Sequence, residues 1–180
     1  MKILPTFKIQ SGFTLVELIV VIAIVGIMGG MTIAVFNPIA QLQKSADAKR
    51  KSDLSQISKA LEAYYSDHGK YPSTNNAYEL VVLPAGSNEP IALSWGSAWE
   101  PYMDVLPKDA EVSRKYIYYS PTTGAGAFQS YYLYASLERG TLDPQACIGV
   151  TGCPNVPNSV TCGDATDFCN YGVTSPNVSP

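Results

Sequence analysis

Histidine is nearly missing from this sequence: His68 is the only one in 180 residues. It sits in "DHGKYP", where Gly69 and then Pro72 signal the end of a helix, which argues against an imidazole-based triad or a histidine-rich metal centre. Charge is sparse as well. Charged residues make up 15% of the chain and the net charge is -3, so no bulk positive field marks a nucleic-acid binder. No basic stripe accompanies the 12 tyrosines, which read as sheet packing, and nucleic acid is not an expected partner. A phosphate loop is also missing, because "TTGAGAF" lacks the G-K-[ST] ending and a following helix and reads as a hairpin turn. No cysteine precedes Cys147. Cys147, Cys153, Cys162 and Cys169 fall together in a tail rich in Pro, Gly and Asn, without the paired C-x-x-C spacing of a zinc site. Their even number and loop-like spacing suit disulfides formed in an oxidising compartment. These residues give little support for an enzyme.

What the chain has is a long apolar run. From Phe13 to Phe36 the only residues that are neither apolar nor glycine are Thr14, Glu17 and Thr32. As a helix this run would be roughly 36 Å long, enough to cross a bilayer. A buried core helix would need a larger soluble domain around it. A cleaved secretory signal would need small residues after the run, where "AVFNPIAQ" places Phe36 and Pro38. Lys2 and Lys8 precede the span while Lys44, Lys49, Arg50 and Lys51 follow it, a count that would put the C-terminal side in the cytoplasm. The cysteines argue the reverse, and we place that side outside.

The segment "KIQSGFTLVELIVVIAIVGI" resembles the class III leader of type IV pilins and type II secretion pseudopilins. The resemblance implies that a prepilin peptidase cuts after Gly12 and methylates the new amino terminus at Phe13, and that Glu17 is the glutamate at the fifth position of the mature chain. It further implies storage in the cytoplasmic membrane among lipid, with the C-terminal domain outside. Extraction by an assembly platform with a separate ATPase would follow, then packing with copies of itself and minor pilins in an extracellular or periplasmic filament. Physics gives Glu17 a role in that scheme. A carboxylate inside a membrane helix costs a few kcal/mol unless it finds a partner. The amine that cleavage creates at Phe13 is a cation at a helix N-terminus, where the macrodipole disfavours it. If Glu17 of an incoming subunit meets the Phe13 amine of a docked one, both charges are satisfied in one axial register. Snorkelling of Glu17 to the interface is the plainer alternative. Gly26, Gly29 and Gly30 permit close helix approach or local melting, and Pro38 after Asn37 predicts a kink.

Beyond the run, Leu54, Ile57, Leu61, Tyr64 and Tyr65 recur at helical spacing, with Lys51, Ser52, Gln56, Lys59 and Glu62 on the other side. Asp47 adds weak support through Arg50 and Lys51 one turn on. "KYIYYS" and "SYYLYASL" around "PTTGAGAF" read as a hairpin whose Tyr131, Leu133, Ala135 and Leu137 face the stem. The expected fold is α+β: a long helical spine under a small antiparallel sheet, with a disulfide-rich tail. Its parts are a leader at 1–12, a transmembrane and assembly helix at 13–36, and an amphipathic stem at 37–68. A connecting loop follows at 69–108, with a short helix near Ala77 to Leu83, then the sheet at 109–140 and the tail at 141–180. "GKYP", "WEPYMDVLPKD" and "YYLYASLE" resemble the major pseudopilin of type II secretion.

The tail departs from that resemblance. Major pseudopilins typically hold their C-terminal loop with calcium, whereas here Asp143, Asp164 and Asp167 are scattered, so no cofactor is expected, with calcium as the alternative. The four cysteines allow three connectivities; the local pairing of Cys147 with Cys153 and Cys162 with Cys169 is favoured, as a staple in place of the ion. The competing function is a monomeric membrane-anchored extracellular binding protein or adhesin, which would need neither cleavage nor self-association.

Overall fold

The computed structural model describes residues 12–84, 86–124, 126–147, 152–157 and 160–180, with backbone alone at 32–36. The leader up to Ser11 lies outside the described residues. The chain divides into two compact units, Met1–Leu42 and Gln43–Pro180.

In the first unit, α1 runs from Leu15 to Phe36, 22 residues. Thr14 caps its N-terminus, and Asn37 closes it in the left-handed region at φ 33° and ψ 77°, a conformation that asparagine adopts more readily than most side chains. The Asn37 Oδ1 then accepts the Ala40 N–H at 3.3 Å, so one residue ends α1 and caps α2, Pro38–His68. Pro38 at the first helical position surrenders no hydrogen bond. The kink expected at Pro38 is thus a break between two helices. All described side chains from Phe13 to Met31 are exposed, including Phe13, Leu15, Val16 and Met31. Among the described residues no helix is long and apolar enough to cross a membrane. The α1 backbone as a whole would be roughly 33 Å long.

In the second unit, α2 buries Leu54, Ile57, Ala60, Leu61 and Tyr64; of the stripe that the helical spacing predicts, Tyr65 alone is half-buried, packed against the same cluster, and Ala60 is added. Two three-stranded antiparallel sheets accompany it. The first joins β1 (Ser73–Thr74), β2 (Leu80–Val82) and β3 (Ile91–Leu93) in that order. These strands fall within the segment expected to be an irregular connection, and no helix forms near Ala77 to Leu83. The Asn75 side chain accepts the N–H groups of Ala77 and Glu79, both at 2.9 Å, and Tyr78 has φ 60°. That side-chain turn takes the backbone donors a helix would use.

The second sheet joins β4 (Ile117–Tyr119), β5 (Tyr132–Ala135) and β6 (Tyr171–Thr174). Tyr118 pairs with Leu133, and Leu133 with Val173, so the tail itself supplies the third strand of the expected hairpin. Tyr131, Leu133 and Ala135 are buried in one cluster with Leu54, Ile57 and Leu61. Leu137 is also buried.

Tyrosines are the largest fully buried side chains; several of their hydroxyls find acceptors, whereas that of Tyr134 is buried without a partner among the described residues. Tyr118 donates to the Pro72 carbonyl at 2.7 Å and Tyr116 to Asp53 at 2.8 Å. Burial raises the pKa of Tyr64, Tyr71, Tyr116, Tyr118, Tyr134 and Tyr171 above the ordinary 10.0, and that of Tyr131 and Tyr102 to about 12. The folded state therefore holds protons that the unfolded chain releases near pH 10. This stabilisation is complete below pH 10 and is lost as the pH climbs toward the folded-state values. In an alkaline titration, the tyrosinate absorbance step is expected to coincide with collapse of the near-ultraviolet dichroism. A full tyrosinate signal with the dichroism intact would contradict the buried assignments.

Candidate assembly site

The amino-terminal site is built on the first turn of α1. The Glu17 N–H donates to the Thr14 hydroxyl at 3.2 Å, and the Glu17 carboxylate accepts the Thr14 N–H and hydroxyl, both at 3.4 Å. This reciprocal arrangement satisfies two of the donors a helix start leaves open. It also sets an anion where the helix dipole favours one. The signal for it in the sequence is T-x-x-E at the head of an apolar run. Phe13 precedes the cap, is 82% exposed and has no regular structure. The structure thus brings Phe13 and Glu17 to one helix end. Among the described residues, a Cβ at Gly12, Gly26 or Gly30 would meet no heavy atom within 4 Å.

The four cysteines lie far from that end in sequence and form Cys147–Cys153 and Cys162–Cys169, with Cα separations of 4.9 and 5.0 Å. Cys153, Cys162 and Cys169 are buried in a second cluster with Ile117 and Tyr134. The two loops are joined by backbone: the Cys153 N–H donates to the Cys169 carbonyl at 2.8 Å. Gly152, at φ 92°, makes that approach possible, since a Cβ there would stand 2.6 Å from the Cys169 oxygen.

A charged cluster ties the stem to the tail, and its burial is not legible in the sequence. Asp47, Arg50 and Asp53 are all buried. The Asp47 carboxylate accepts the N–H groups of Glu138 and Arg139, at 2.7 and 3.0 Å, in the turn that leaves β5. The Arg50 Nε donates to Asp109 at 2.7 Å, and its Nη atoms reach Asp47, Glu111 and Glu138 at 3.2, 3.3 and 3.3 Å. Burial would lower the Arg50 pKa, but Asp109 and then Glu138 more than offset it, and the guanidinium stays charged. Lys51 donates to Asp143 at 2.6 Å and Gln145 at 2.9 Å. That hydrogen bond from Lys51, followed by one from the Gln145 backbone, lowers the Asp143 pKa. The weak surface pairing expected of Asp47 with Arg50 and Lys51 is instead the root of a long-range clamp.

An apolar helix behind a processing motif, continued by a stem helix beside small antiparallel sheets, defines the class of pilin-like subunits. Residues 7–33 match the prokaryotic N-terminal methylation motif, the signature of prepilin peptidase processing. Residues 37–151 match the type II secretion system (T2SS), protein G model. The chain is 34% identical over 141 residues to the type II secretion system core protein G of Pseudomonas aeruginosa, covering 78% of this chain and 94% of that one. It is 34% identical to the core protein G of Escherichia coli over 56% of this chain and 66% of that one. The Vibrio cholerae core protein G is 32% identical over 62% and 72% respectively. The chain belongs to the type II secretion system protein G family, the major pseudopilins. No solved structure matches it.

Proposed function

We propose that this chain is the repeating subunit of a secretion pseudopilus, cut after Gly12, methylated at Phe13 and assembled through Glu17. The observation that carries this reading is a single carboxylate at the head of an apolar helix whose described side chains are all exposed, inside the matched methylation motif. Such a surface needs lipid before assembly and other spines after it. Burying it among spines contributes roughly 25 cal/mol per Å² before the costs of association. In this reading the subunit waits in the cytoplasmic membrane with Gln43–Pro180 outside, and an assembly platform and separate ATPase lift it into a filament with copies of itself and minor pseudopilins. The work is mechanical and no catalysis is assigned to it. Because a Cβ at Gly12 would meet none of the described residues within 4 Å, Gly12→Val is directed at the peptidase and not at the packing of the described fold. The variant is expected to keep its leader, whereas the parent chain begins at methylated Phe13 by mass spectrometry. Mature-length Gly12→Val protein in cells that contain the peptidase would move the cleavage site elsewhere. An intact Met1 terminus in functional parent protein would favour an anchored monomeric binder.

A further inference from the structure

We infer that Lys51, Arg50 and Arg114 do in this chain what calcium does in the pseudopilins it resembles: they hold the segment between β5 and β6, whose described residues do not fit a divalent ion. The contacts involved lie within Gln43–Pro180 alone and are independent of filament assembly. A cavity of about 480 Å³ opens beside that segment, with Arg114, Glu138, Asp143 and Asp167 in its wall. A calcium ion there would need about six to eight oxygens at about 2.3–2.6 Å. The wall's carboxylates already have partners. Glu138 faces Arg50 at 3.3 Å and Arg114 at 3.7 Å. Asp143 takes Lys51 on one oxygen and the Gln145 N–H on the other, at 2.6 and 2.9 Å. Asp167 takes Arg114 at 3.4 Å and the Asp164 N–H at 3.2 Å.

The wall is also rich in donors. The Nε and Nη1 atoms of Arg114 are buried and face carboxylates, Glu111 at 3.4 Å and Glu138 at 3.7 Å, without a well-formed hydrogen bond, whereas a cation requires surplus acceptors. Arg50, Arg114 and Lys51 would each repel an incoming dication. Among the described residues, no group of three or more His, Cys, Asp or Glu is placed to hold a metal. The staple in place of the ion is thus ionic as well as covalent: the disulfides close loops within the tail, and the stem cations fasten the turn after β5 to α2.

The test uses the full chain in detergent with both disulfides intact, in calcium chloride or in EGTA, read by thermal unfolding and limited proteolysis. The two conditions are expected to give the same melting temperature and the same cleavage pattern. Lys51→Gln is expected to speed cleavage between Leu137 and Cys147 about tenfold, the loss of one charge-assisted hydrogen bond, and calcium should not slow it. Asp143→Asn, which removes the charge from the opposite side, should give a similar acceleration and serves if Lys51→Gln does not fold. Saturable calcium binding that raises the parent's melting temperature would overturn the inference. So would unchanged cleavage in the folded variants.

Discussion

Glu17→Ala is expected to leave the subunit in the membrane and to lower filament yield at least about tenfold, the loss equivalent to about 1.4 kcal/mol per contact. The substitution makes α1 more apolar, so insertion is favoured. It removes the anion that a neighbouring Phe13 amine would meet. It also removes the capping box with Thr14, a second effect that must be separated from the first. Glu17→Gln makes the separation, because glutamine can still close a capping box but carries no charge. If pairing of charges drives assembly, Gln fails as Ala does; if the cap matters, Gln restores filaments. The readout is the filament fraction sheared from cells against the subunit retained in membranes, alone and mixed with parent subunits. Normal filament yield from Glu17→Ala in both settings would remove Glu17 from the mechanism.

Arg50→Met is expected to be the most destabilising single change in the head. The arginine side chain is 4% exposed and the Asp109 side chain that it binds is 3% exposed. Methionine keeps much of the length but leaves that carboxylate buried without its cation. Breaking one side of a buried pair costs about 3–5 kcal/mol, a fall of roughly 10 °C or more in melting temperature. Glu111→Gln provides the contrast, since Glu111 is 47% exposed and solvent screens its share to less than about 1 kcal/mol. Thermal unfolding of both variants in detergent, followed by near-ultraviolet dichroism, checks the ranking. Equal melting temperatures for parent and Arg50→Met would show that the buried network carries no net stability.

Elements that repeat a pattern along the chain are legible in its sequence. The apolar run, the stripe Leu54, Ile57, Leu61 and Tyr64, and the tyrosine-rich strands β4 and β5 each sit in a segment long enough to show a period. β1 to β3 do not: β2 and β3 match β4 in length, but they lie in a stretch rich in Pro, Gly and Asn with no tyrosine-rich flanks to extend a pattern. β6 is hidden by Gly172, which pairs with Tyr134 across the sheet and leaves no side chain to mark an alternation. Arg50 and Asp47 are hidden for a different reason. A charge on a helix face looks solvated unless its partner is known, and here the partners Asp109 and Glu138 lie 59 and 88 residues beyond Arg50. The Thr14–Glu17 cap needs no such distant partner, because both of its residues lie within one turn.

The clamp between α2 and the turn after β5 also sets an order of events. Its hydrogen bonds join residues 88 to 94 positions apart, and β6 closes on β5 from further along still. Contacts so distant in sequence carry a large loop-closure entropy and make folding slow. A subunit that enters its compartment stem first must therefore wait with Asp47, Arg50 and Asp53 in water until the tail arrives. During that interval the stem presents an unfinished, protease-accessible surface. Completion of the tail is thus the step that covers these charges, and a chain interrupted before β6 is expected to leave them unpaired and the stem open to proteases.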